Sequence, residues 1–388
     1  MSDKAYITPK VLKWARESAR MTTEDAAGKV AVSPEKLTAW EDGASQPTIR
    51  QGEVLAKAYR RPFALFFLPE VPRDFQPLND FRTKGSQPLS TPSIFIIREL
   101  QQKQAWIHDV LRDGDGTRLP FVGKYSIQDN PISVARDMVK VLEINPAQYS
   151  NDPIHEWIEK AEAKGIFISR TSFIHSKMKL DSEEFQGFAI ADEYAPFVFI
   201  NSEDWDSAQL FTLVHEMAHI WIAQSGISNE VAPDMPRRDR LQPIELFCNQ
   251  VAANALIPEE IISRKSGVFD SSTSVYQYAK GLGISSFALL VRGLQLNIIS
   301  LASYNKLKKE ADEAFKEYMK REEEKKAKAR EREGGPSPYL LRLNKNGRLF
   351  TQIVLDSFNG GFIEPTVAST LLNTQVNQFH RFEALLQA

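Results

Sequence analysis

The 388-residue chain carries 48 Lys and Arg against 50 Asp and Glu, a formal net charge of -2, so no whole-molecule field drives it onto nucleic acid or an anionic membrane. That length exceeds what one hydrophobic core organises and points to two or three domains, and 42% hydrophobic with 25% charged residues suits folded, soluble protein. The single cysteine, Cys248, excludes an internal disulfide framework and a cysteine-rich metal site. Charges interrupt the N-terminal segment and no uncharged apolar run approaches membrane-spanning length, so the expected location is the cytoplasm, without a membrane partner.

Residues 8–68 read as short helices. Thr8-Pro9 opens the first; Thr22 or Thr23 caps the second, with Glu24 and Asp25 in its first turn; Ser33 and Pro34 start a third that ends at Asp42-Gly43. Pro47-Thr48 opens a fourth helix to about Tyr59, and Arg61 to Phe67 a fifth. A tight turn at Val30–Val32 before a capped third helix is a helix-turn-helix pattern. Its sequence, TTEDAAGKVAVSPEKLTAWEDGASQPT, resembles the XRE (Cro/C1-type) family, which implies that the third helix faces the major groove with Ser33, Glu35, Lys36 and Thr38 toward the bases. Lys36 is that helix's one cation, beside Glu35 and Glu41, so phosphate contacts would have to come from flanking residues such as Arg16, Arg20 and Arg50.

Pro69, Pro72, Pro77 and Pro88 mark residues 69–92 as an extended connector. Its FFLPEVP and Asn79-Asp80-Phe81-Arg82-Thr83 stretches resemble those of XRE proteins fused to ImmA/IrrE-like peptidases. Helices are expected at about Ile94–Arg112, Pro131–Leu142 and Asp152–Ala163, then strands at Gly165–Ser169, Gly187–Ile190 and Pro196–Ile200, an α+β arrangement.

Asp206 to Ala223 reads as one apolar helix containing His215-Glu216-Met217-Ala218-His219. Histidines four apart share a helix face and can present two imidazoles to one zinc ion, with Glu216 beside them as general base. A third ligand must come from elsewhere. No histidine follows His219 until His380, and position 225 is Ser, so a carboxylate is needed; Glu245, at the head of a second helix from Leu241 to Leu256, is the best candidate. FTLVHEMAHIWI followed by ELFCNQVAANALIP resembles the ImmA/IrrE metallopeptidase pattern over residues 152–300. The resemblance implies zinc at His215, His219 and Glu245, Glu216 as the catalytic base, and proteolysis of a transcriptional repressor. His175 and Tyr194 are guesses at a transition-state stabiliser, more readily read as loop or packing residues. Strands Gly187–Ile190 or Pro196–Ile200 are candidates for pairing with extended substrate. Asp234–Arg240 reads as a solvated loop, and Cys248 as core.

The expected organisation is thus multidomain: an all-α helix-turn-helix domain (residues 1–68), the connector (69–92), an α+β zincin-like metallopeptidase domain (93–303), a charged helical linker (304–337) stopped by Gly334-Gly335-Pro336, and a small, mainly helical C-terminal module (338–388). Two functions fit. In one, a zinc endopeptidase cuts a repressor or antitoxin-like protein while the helix-turn-helix domain docks it on DNA or a partner. In the other, a DNA-binding regulator or antitoxin of a toxin-antitoxin or phage-related operon senses a partner such as a cognate toxin and turns over little.

Overall fold

The computed structural model describes residues 3–387 except 76, 83–85, 115, 150–151, 176–177, 230, 232–241 and 330–336; the side chains of 175 and 317–329 also lie outside the description. The loop expected at Asp234–Arg240 and the stop at Gly334–Pro336 fall outside it. Two compact units are present: Met1–Pro77 with Gln87–Gln102 and Phe173–Lys179, and Leu78–Ser86 with Lys103–Ser172 and Leu180–Ala388.

The first unit opens with α1 (Pro9–Ser18), α2 (Thr23–Lys29), α3 (Pro34–Glu41) and α4 (Ile49–Tyr59). Each of the last three has a side-chain cap: Thr22 accepts from Asp25 N, Ser33 from Lys36 N, and Thr48 forms a capping box with Gln51. Ala31 at φ +54° turns the chain between α2 and α3. Past α4 the fifth helix is only a 3-10 turn, Phe63–Phe67, because Pro62 pushes Arg61 out of helical conformation. Arg16 and Glu41 form a buried bidentate pair at 2.8 Å and 2.8 Å, so the Glu41 charge is neutralised within the fold and opposes no ligand of α3. Ser33, Glu35, Lys36 and Thr38 are exposed on α3.

Strand β1 (Asn79–Asp80) belongs to the second unit, and α5 (Thr91–Asp113) begins in the first and ends in the second. The second unit continues with α6 (Pro131–Leu142), α7 (Pro153–Ala163) and β2 (Phe167–Thr171); the short hairpin β3 (Phe173–His175) and β4 (Met178–Lys179), next in the chain, belongs to the first unit. Gly165, at φ +86°, ends the turn after α7, which is why the strand expected from Gly165 begins two residues later. Then come β5 (Gly187–Ile190), β6 (Phe197–Asn201), α8 (Asp206–Trp221), β7 (Gly226–Ser228) and α9 (Pro243–Leu256). The sheet order is β1-β7-β5-β6-β2, with β2 parallel to β6, β5 antiparallel to both neighbours, and β1 parallel to β7. Strands β5 and β6 are flanked on both sides, so neither can accept a substrate strand as the sequence suggested; their backbone groups are already paired.

Helix α8 is buried from Gln209 to Trp221 and packs on β5, β6 and α9. A helix apolar on nearly every face is stable only inside a core. The unit closes with α10 (Glu259–Ser263), α11 (Ser272–Gly281), α12 (Ser286–Gln295), α13 (Leu301–Ala329), α14 (Pro338–Asn346), α15 (Arg348–Asn359), α16 (Pro365–Leu372) and α17 (Phe379–Gln387). The α14–α15 corner covers the outer side of β2: Ser169 Oγ donates to Lys345 O at 2.6 Å, and Leu349 N donates to Glu162 Oε1 at 3.2 Å.

Burial pushes the Glu162 carboxyl up to about 7 from 4.5, against those amide bonds from the first turn of α15. Between these values the folded chain holds a proton that the unfolded chain has released. Stability should therefore fall as pH rises through that window, by about 3 kcal/mol at most. Glu162→Gln keeps an acceptor for Leu349 and should flatten this slope in urea unfolding between pH 4.5 and 7.5; equal slopes in both proteins would contradict the assignment.

Candidate metal centre

Helix α8 brings His215, Glu216 and His219 to the underside of the sheet, and the first turn of α9 brings Glu245 to meet them. Proline at the first position of α9 starts that helix, and Glu245, two residues on, sits where the positive end of the helix dipole favours a carboxylate. All four are sealed from solvent, at 0%, 0%, 0% and 1% exposure.

Three donors converge. His215 Nε2 lies 3.3 Å from Glu245 Oε2, His219 Nε2 lies 3.2 Å from Glu245 Oε1, and the two Nε2 atoms face each other at 3.2 Å. A tetrahedral ion with ligand bonds of about 2.0–2.1 Å holds its donors about 3.3–3.4 Å apart. The triangle therefore has the size a metal ion requires. Among the described residues this is the one group of three or more His, Cys, Asp or Glu whose ligand atoms cluster in this way.

The imidazoles are oriented from behind. His215 donates from Nδ1 to Asn249 Oδ1 at 2.9 Å, which leaves its Nε2 lone pair for the cluster. Asn249 is one turn beyond Glu245, so a single helix face supplies both a donor and its neighbour's orienter. Sequence reading assigned Asn249 nothing. His219 is held by a flat stack with Phe81, ring centroids 5.4 Å apart and planes 6° off parallel. Phe81 lies in the segment read as a connector, within the Asn79–Thr83 stretch that carries a family resemblance; no periodicity marks a single aromatic residue there as part of the site. Ser228 Oγ donates to Glu245 Oε1 at 3.4 Å.

Burial opposes the charge of Glu245, but the facing His215 and His219 overcome it and pull the carboxyl down to about 2. Burial lowers His219 in turn, favouring the neutral ligand form. Glu216 behaves oppositely. Burial, with the charge of Glu245 added, pushes it well above the usual carboxylate range. The Ser228 hydroxyl opposes that rise only weakly, since its bond goes to Glu245 and both Glu216 oxygens lack a hydrogen-bond partner. A buried carboxyl with two unpaired oxygens is costly to keep without a function. Gly187 on β5 makes its space: a Cβ there would come within 2.9 Å of Glu216 Oε1 and 2.7 Å of Thr212 Cγ2.

Other candidates are placed elsewhere. Cys248 is buried, its thiol raised well above the usual range by burial, and it belongs to the apolar core. The Tyr194 hydroxyl accepts from Arg118 Nε at 3.3 Å in an exposed setting, while the His175 side chain lies outside the described residues. Replacing Asn249 with Ala should free the His215 ring and weaken metal affinity about 10–100-fold. Competition against a chromophoric chelator measures this, and unchanged affinity would remove the orienting role.

The buried triangle of His215, His219 and Glu245 could hold a metal ion, with Glu216 unpaired beside it. Residues 161–292, about a third of the chain, match the family model described as the IrrE N-terminal-like domain, Peptidase_M78. No curated protein matches the chain. Among solved structures, the crystal structure of ComR from Streptococcus suis aligns at 12% identity, covering 100% of this chain and 97% of that one, with a TM-score of 0.15. No described helix is long and apolar enough to cross a membrane.

Proposed function

We propose that the chain is a regulatory zinc-dependent endopeptidase that cleaves a transcriptional repressor or antitoxin-like protein, with its N-terminal helices forming an XRE-type helix-turn-helix domain that docks on DNA or a partner. The observation that carries the reading is the donor triangle of His215, His219 and Glu245, at separations of 3.2–3.3 Å, with Glu216 unpaired beside it.

Zinc held there supplies positive charge that polarises a peptide carbonyl and acidifies water. Glu216, unpaired beside the donors, would take a proton from the attacking water and pass it to the departing amine nitrogen. Gly187 leaves it the room, Asn249 fixes the tautomer of His215, and the low-polarity surroundings strengthen each electrostatic contact.

The test is incubation of the zinc-loaded chain and of its Glu216→Gln variant with purified products of the genes beside its own. Cleavage of a repressor or antitoxin-like product by the wild type alone supports the reading. Intact products together with tight, salt-dependent binding to the chain's own promoter would favour a DNA-binding regulator of a toxin-antitoxin or phage-related operon with little turnover. Two features support that second reading: Ser33, Glu35, Lys36 and Thr38 are exposed on α3, and Arg16 neutralises Glu41.

A further inference from the structure

Strand β7 lies closest to the donors at its Ser228 end, where the hydroxyl bonds Glu245. Its inner edge pairs with β5, and its outer edge is covered by β1, Asn79–Asp80. Phe81 N continues that ladder by donating to Ile227 O at 3.0 Å; Asn79 Nδ2 donates to Ser225 O at 3.0 Å, and Gln242 Nε2 donates to Asp80 O at 3.0 Å. The Phe81 ring is buried and lies flat against His219. Strands β5 and β6 are interior, and α14 lies over β2. An extended polypeptide adding to the sheet beside the donors therefore has one place to go, and residues 79–82 fill it.

Gly226 is shaped for this occupant. A Cβ there would stand 2.1 Å from the Phe81 ring and 3.1 Å from Asn79 O, its nearest neighbours. Its backbone is in a region open to any residue, so conformation does not demand glycine; close approach of the 79–82 segment does.

We propose that Asn79–Arg82 is a built-in strap that occupies the strand-addition site for a substrate polypeptide and closes the metal centre, so that turnover requires the strap to leave β7. This rests on the peptidase reading above. The strap is held by a two-residue ladder, the Phe81 amide, the Asn79 and Gln242 side-chain amides and one ring stack, all local to β7 and its neighbours, so it can open without unfolding the core. The chain enters the strap from Pro77 and re-enters the other compact unit at Gln87, so both ends of the strap are tethered to the unit that carries α1–α4, and a ligand of that unit has a covalent handle on it.

The experiment uses the full chain, zinc-loaded, as wild type, Phe81→Ala and Gly226→Ala. Three quantities are measured: amide hydrogen exchange, zinc transfer to a chromophoric chelator, and cleavage of casein as an unstructured polypeptide. Zinc should leave both variants at least tenfold faster than wild type, and Gly226→Ala should lose protection at Phe81 while the α8 amides keep theirs. Variants that retain α8 protection yet release zinc at the wild-type rate would overturn the strap, as would a Phe81 amide unprotected in the wild type. Casein cleavage at equal rates in all three proteins would also overturn it while leaving the peptidase intact. Faster zinc release with no casein cleavage by any of them keeps the strap only as a cover of the metal centre and overturns it as the occupant of a general polypeptide site, while the peptidase reading is decided by the Glu216→Gln comparison above. Gly226→Ala displaces the Phe81 ring and presses on the Asn79 carbonyl, whereas Phe81→Ala removes the ring alone, so misfolding of one leaves the other to decide.

Discussion

Glu216→Gln should bind metal as tightly as the wild type while losing about 10²–10⁴-fold in peptide hydrolysis. Glu216 makes no hydrogen bond that holds the triangle together, and its oxygens are unpartnered, so an isosteric amide changes neither packing nor donor spacing. What the amide lacks is the capacity to accept and return a proton. The two quantities separate cleanly: metal content by elemental analysis, hydrolysis by the appearance of new termini in a substrate. If the variant cleaved at the wild-type rate, Glu216 would not be the base. Loss of metal as well would assign it to the structure of the centre instead.

His215→Ala should abolish stoichiometric metal binding and with it the thermal stabilisation that metal confers. An ion that binds only the folded chain stabilises it by about 2.7 kcal/mol at a hundred times Kd, so added zinc should raise the wild-type melting temperature and leave the variant unmoved. The substitution also leaves Glu245 short of one facing imidazole and Asn249 Oδ1 without its donor, both buried, so the apo variant should already melt lower than apo wild type. His155→Ala, on the exposed face of α7, should reproduce wild-type behaviour in both measurements. A zinc-dependent shift surviving in His215→Ala would place the ion elsewhere.

The donor set was the most legible part of the chain, because helical spacing alone brings His215 and His219 to one face, and a scarcity of histidines turned the search for a third ligand toward Glu245. The cap at Ser33 was equally readable, since it sits just before a helical run and does local work; Thr22 was one of two candidates, and Thr48 was read as opening its helix. What escaped was long-range and brief. Strands of two or three residues, β1 and β7, carry no alternation to read, and only their pairing makes them strands. Phe81 looked like part of a proline-rich connector; its place against His219 depends on a close approach permitted by Gly226, 145 positions away. Substrate pairing at β5 or β6 failed for the same reason: a strand's sequence does not say whether it lies inside the sheet or at its edge. Glu41 counted as a charge opposing DNA until its partner Arg16 was seen, and ion pairing across 25 positions leaves no local signature.

Whether His215, His219 and Glu245 together hold one metal ion can be read from the zinc-edge X-ray absorption spectrum of the full chain. Nitrogen and oxygen scatterers are expected at about 2.0–2.1 Å, with imidazole features and no sulfur; a sulfur scatterer near 2.3 Å, implicating Cys248, or a folded wild-type chain that takes up no zinc, would rule the triangle out as the metal site.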